Sequence, residues 1–109
     1  MRRVLIESPL RGDYERNRRY LWACIRDSLR RGEAPFASHK IYEGPLDDGD
    51  HSERELGIRA GFAWADAAEL VAVYEDLGLS EGMRRGIERA ERAGQAINYR
   101  RIGLDWEAA

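Results

Sequence analysis

Glu7, Ser8 and Arg11 stand close together where the apolar run "VLI" gives way to "SPLRGD". A carboxylate that ends an apolar strand is costly to desolvate without a partner. Glu7 therefore needs either the Arg11 guanidinium, which would be a structural role, or a polar ligand. A second group lies in "VYEDLGLSEGMRRGIERA", where a greasy run turns into a charged helix. There Ser80 is placed to cap the helix, and Gly78 and Gly82 permit the turn. Free amides at Glu81, Gly82 and Met83, aided by the helix dipole, suit a phosphate or carboxylate. Asp76 opens this loop, either as a carboxylate that bonds local amides or as a second acid facing the same ligand as Glu7. His39 follows "APFAS" and reaches the same region if that stretch is a strand; a surface-loop histidine is the plainer alternative.

Other candidates carry less. "DDGDH" lacks the D-x-[DN]-x-[DN]-G calcium spacing, and one neighbouring histidine does not make a zinc site, so no metal and no cofactor are expected. Neither a P-loop nor a G-x-G-x-x-G dinucleotide fingerprint is present. Cys24 falls on the apolar stripe of a helix and reads as core.

The elements that must position these residues alternate. "RRVLIE" reads as a strand. Residues 14–31, with Tyr20, Leu21, Cys24, Ile25, Ser28 and Leu29 at helical spacing, read as a helix capped by Asp13. "APFASH" is a short strand candidate and "YEGPLDDGDH" a loop. Ser52 and Glu55 form a capping-box pattern, opening a helix whose stripe is Leu56, Ala60, Ala63, Trp64 and Ala67. "LVAVY" has no alternation and reads as a strand buried on both faces. A third helix starts at Ser80, and "AINYRRI" is the last strand, its Ala96–Tyr99 half the better candidate for burial. This order predicts a single α/β domain over residues 1–109, a small flavodoxin- or Rossmann-like three-layer sandwich. Its four-stranded, mostly parallel sheet would have the order 2-1-3-4. Ligands of such sheets gather beyond the carboxyl ends of the strands where the order reverses. That point lies between the first and third strands and faces both groups of candidates.

Composition narrows the partners. The 109 residues carry 18 basic and 20 acidic side chains, a net charge of −2, and every basic residue but Lys40 is arginine. Acidic residues are interspersed among the arginines, which argues against nucleic acid as a partner. No apolar run approaches bilayer length and no secretory signal is evident, so a non-membrane, cytoplasmic protein is expected.

With those residues laid out, the chain resembles the nucleoside 2-deoxyribosyltransferase-like superfamily, and more closely its small phage and bacterial domains. The similarity runs through "VLIESPLRGDYERNRRY", "EAPFASH" and "GFAWADAAELVAVYEDLGLSEGMRRGIERAERAG". It implies a flavodoxin-like domain that assembles into homo-oligomers and takes a nucleoside or nucleotide. The enzymes cleave or exchange the N-glycosidic bond, with a helix glutamate attacking the anomeric carbon. Aligning Ser80 and Gly82 with the family's Ser-x-Gly puts Gly86 or Arg84 at that glutamate's place. Glu88 lies two to four residues further on, and Glu81 sits at the helix start. The resemblance implies Glu88 or Glu81 as nucleophile, Asp76 and Glu7 in sugar binding or proton transfer, and Ser80 with Gly82 at a phosphate. It leaves open a domain that binds a nucleotide without cleaving it, and an interaction domain with a vestigial crevice.

Overall fold

The structure, a computed structural model, describes residues 1–108. Its elements follow in the order β1 (Arg3–Glu7), α1 (Tyr14–Arg30), β2 (Ala34–Phe36), α2 (Ser38–Ile41), α3 (His51–Ala65), β3 (Leu70–Tyr74), α4 (Glu81–Arg92) and β4 (Ile97–Arg100), closed by a 3-10 turn at Trp106–Ala108. The four strands form one parallel sheet in the order β2-β1-β3-β4, as the alternation predicts.

Strand alternation sorts the side chains into two cores. Val4 and Ile6 of β1, with Leu70, Ala72 and Tyr74 of β3, meet Tyr20, Leu21 and Cys24 of α1. Leu5, Val71 and Val73 point the other way, against Ala65 at the end of α3 and Met83, Ile87 and Ala90 of α4. The result is three layers, with α1 on one face and α3 and α4 on the other. Trp106 is buried and folds back onto the α1 face, its ring 5.0 Å from that of Tyr20 in an edge-on arrangement.

Several local expectations are corrected. "APFASH" is strand only to Phe36; Ser38 and His39 begin the helical turn α2. Asp50, not Ser52, caps α3: Asp50 Oδ1 accepts from the amides of Ser52 and Glu53 at 3.0 and 3.1 Å. Glu55 instead meets Arg85 through two bonds of 3.0 and 3.1 Å, tying α3 to α4. The anticipated inner stripe of α3 faces outward, with Leu56 50% and Trp64 56% exposed. Its inner face is Gly57, Ile58, Gly61 and Phe62, and at the two glycines the α2 segment and the loop after it pack too closely to admit a side chain. A Cβ at Gly61 would lie 3.3 Å from Ser38 Oγ, and one at Gly57 3.1 Å from Leu46 Cδ1. In β4 it is Arg100 that is buried and Tyr99 that is half exposed. The Arg100 guanidinium clamps Glu33 at 2.8 and 2.7 Å and donates to Tyr74 Oη at 3.1 Å, so the charge is paired where it is desolvated.

Candidate functional site

β1 and β3 are neighbours, with Glu7 opposite Val73. Beyond their ends lies a cavity of about 500 Å³, within the size range of small-molecule sites. The β1 loop contributes Glu7, Ser8 and Arg11, and the start of α4 contributes Ser80, Glu81, Gly82 and Met83. α2 adds His39, and the inner face of α3 supplies the far wall with Ile58 and Phe62. Eight of the eleven candidates from the sequence thus converge on one recess.

Glu7 stands on its floor. Alternation along β1 turns its side chain toward α4, where Gly86 makes room: a Cβ there would lie 2.2 Å from Glu7 Oε2. The carboxyl has no hydrogen-bond partner among the described residues. Desolvation raises its pKa from 4.5 to about 8, against the opposing pull of the Arg89 guanidinium. The acid is therefore largely protonated at neutral pH. Arg11 is not its partner; that guanidinium pairs with Asp48 at 3.1 Å.

Ser8, almost wholly buried, places Oγ 3.1 Å from His39 Nε2. Burial, with a smaller contribution from Lys40, lowers the His39 pKa to about 4, although Glu43 acts in the opposite sense. The imidazole is neutral at physiological pH and able to accept a proton. Glu43 itself is held by Lys40 and by Arg18, the latter at 3.1 Å. At the rim Asp48 accepts from Tyr14 Oη at 2.8 Å and meets Arg11, so the "DDGDH" segment is tied to the edge of the cavity through Asp48.

Ser80 caps α4, accepting from the Met83 amide at 3.2 Å. That occupies one of the three amides expected to be free; those of Glu81 and Gly82 make no hydrogen bond among the described residues. Among the described residues, no group of three or more His, Cys, Asp or Glu is arranged to hold a metal ion.

Three candidates fall elsewhere. Asp76 follows the even-numbered side of β3 and faces α1, across the sheet from Glu7. There it accepts from Tyr20 Oη at 2.6 Å and from the amides of Ile102 and Gly103 at 3.0 Å. Desolvation works to raise its pKa, but these bonds outweigh it and the net shift is downward. It is a structural clasp for the C-terminal segment, and the anticipated Glu7–Asp76 pair does not form. Glu88 is exposed on the outer side of α4 and does not line the cavity. A residue two positions beyond Gly86 points about 200° away around the helix. Gly78 has φ +83° and serves the turn alone.

Apart from His39, the α2–α3 wall, with Tyr42, Arg54 and Phe62, and Tyr14 at the start of α1 were not among the candidates. The glycines at 57 and 61, four apart on a helix, were the available sign that this face meets something closely.

The fold and the cavity together define a parallel α/β domain with a recess at the strand-order reversal. The sequence matches, over residues 2–100, the family described as a domain of unknown function, DUF7768, and the chain belongs to that family. No curated protein sequence matches it.

Proposed function

We propose that the domain binds a nucleoside or nucleotide in the strand-end cavity and cleaves or exchanges its N-glycosidic bond, with Glu7 as the carboxyl at the scissile bond. The observation that carries this is Glu7 itself: an unpartnered, protonated acid on the floor of an open recess. A departing base needs a proton at its ring nitrogen, and a carboxyl with a raised pKa supplies one at neutral pH. The walls suit a flat ring and a polar tail. Phe62, Ile58, Leu46 and Met83 are apolar, whereas the free amides of Glu81 and Gly82 suit a 5′-phosphate. The resemblance to the deoxyribosyltransferase-like superfamily supports the same assignment, with one change: the carboxyl rises from β1 and fills the space beside Gly86, instead of hanging from α4.

One observation favours a second reading, a binder that does not cleave. α4 carries no side chain at Gly86 and turns Glu88 to solvent, so the helix glutamate of the deoxyribosyltransferase-like enzymes has no direct counterpart in this chain. Two measurements separate the readings. A nucleotide at ~100 times its dissociation constant should add ~2.7 kcal/mol of stability under either. Chromatography of deoxynucleoside monophosphates incubated with the protein shows free base only under the first. A melting temperature unmoved across nucleosides and nucleotides removes both. Association of copies belongs to the same proposal and is read by sedimentation velocity.

A further inference from the structure

We propose that Ser8 and His39 form a proton relay that drives water onto the anomeric carbon while Glu7 protonates the departing base, making the domain a hydrolase that works in a single displacement. This rests on the reading of the cavity as a nucleoside site. The geometry that points to it is the meeting of two side chains from separate elements. Ser8 leaves the end of β1 directly after Glu7, His39 is the second residue of α2, and Oγ and Nε2 lie 3.1 Å apart with both residues bordering the recess. Close packing of Gly61 on Ser38 fixes α2 against α3 beside this pair. With its proton on Nδ1, the imidazole accepts from Ser8 Oγ at Nε2, and the Ser8 oxygen is left to accept from a water.

The step balances. Water oxygen forms the bond to the anomeric carbon as the carbon–nitrogen bond breaks. One water proton passes to Ser8 as the Ser8 proton passes to His39. The Glu7 proton goes to the leaving nitrogen. The products are free sugar, free base, imidazolium and carboxylate, and the last two are reset by proton exchange with solvent.

Exchange through a glycosyl-enzyme would need an ionised carboxylate poised in the recess. Glu7 is protonated there. Of the other bordering carboxylates, Glu43 is held by Lys40 and Arg18, Asp48 by Tyr14 and Arg11, and Glu53 accepts from the Asp47 amide. Glu81 lies exposed at the start of α4.

The charges around the pair are defined. Arg89 acts on Glu7, and Glu43 and Lys40 act on His39. Arg11, Asp48, Arg54, Glu53 and Glu81 stand around the rest of the cavity. The displacement requires Glu7 protonated and His39 neutral, so the rate should be level near pH 5–7. It should fall above about 8 and below about 4.

The experiment follows base release from deoxynucleoside monophosphates and nucleosides by the whole protein, Ser8→Ala and His39→Gln, with the melting temperature of each variant recorded. Ser8→Ala removes only an oxygen and serves if His39→Gln fails to fold. The relay predicts that kcat falls at least about 100-fold in either variant while the ligand still raises the melting temperature. It predicts loss of the low-pH limb in His39→Gln, and inverted configuration in the methyl glycoside formed when methanol is added. Base release in the parent with the variants within about 3-fold of it overturns the relay and leaves the nucleoside reading standing. So does base exchange between two nucleosides with retained configuration. A melting shift with no base release overturns the relay and leaves a binder. No shift and no release bring down the relay and the nucleoside reading together.

Discussion

Replacing Glu7 by Gln keeps the shape of the protonated acid and removes its titration, which isolates the energetic consequence of burying that carboxyl. The folded value of about 8 lies above the unfolded 4.5. Between those limits the native state holds a proton that the unfolded state has lost, so Glu7's contribution to stability is fully present below pH 4.5 and is lost as pH rises through 8. His39 works in the opposite sense. Its folded value of about 4 lies below the unfolded 6.5, so its contribution is lost as pH falls from 6.5 toward 4. The two slopes cancel between pH 4.5 and 6.5, leaving Glu7 alone from 6.5 to 8. At 1.36 kcal/mol per pH unit the parent should lose about 2 kcal/mol across that window, reduced toward about 1 kcal/mol by water in the open recess. Urea unfolding at half-unit pH steps measures it directly. Glu7→Gln should be level from pH 6.5 to 8 and should unmask the His39 slope, growing more stable as pH rises from 4.5 to 6.5. Equal slopes in parent and variant between pH 6.5 and 8 would show Glu7 already ionised in the folded protein and would refute the reasoning.

The cradle at Gly86 gives a coupled test. Alanine there gains about 1 kcal/mol of helix propensity over glycine but collides with Glu7 Oε2. Gly86→Ala should therefore destabilise the parent and stabilise a Glu7→Ala background, read by denaturation of the four proteins in a double-mutant cycle. Asp76→Ala strips the Ile102 and Gly103 amides and Tyr20 Oη of their acceptor. It should cost about 2–4 kcal/mol. It should also red-shift the fluorescence of Trp106, which is buried whereas Trp22 and Trp64 are exposed, and leave base release intact in the surviving folded protein. Glu33→Gln leaves the buried Arg100 cation with a weakened partner and should cost about 3 kcal/mol, seen as a lower urea midpoint with an unchanged slope.

The sheet order and the meeting of the β1 and β3 loops were legible because they follow from strand–helix alternation and the handedness of crossovers, which any sequence of this pattern obeys. Glu7 was legible for a similar reason, as a charge ending a buried run. Asp76 was misplaced by one step of strand parity: β3 ends at Tyr74, and continuing its alternation puts residue 76 on the α1 side. Its three partners lie at 20, 102 and 103, too far along the chain for any local pattern to reveal. α3 misled because it carries two apolar faces. Leu56 and Trp64 point to solvent, while the face that packs is built from two glycines with Ile58 and Phe62. The role of Asp48 depends on where a loop closes, which composition does not encode.

The central claim is that one ligand, a nucleoside or nucleotide, seats over Glu7 between the β1 loop and the start of α4. Amide proton–nitrogen NMR spectra recorded while a deoxynucleoside monophosphate is added test it most directly. Saturable shifts confined to residues 7–12, 38–43, 57–62 and 80–83, and weakened in Glu7→Gln, are the predicted result. Shifts centred on the Trp22 face of α1, or none at millimolar nucleotide, would contradict it.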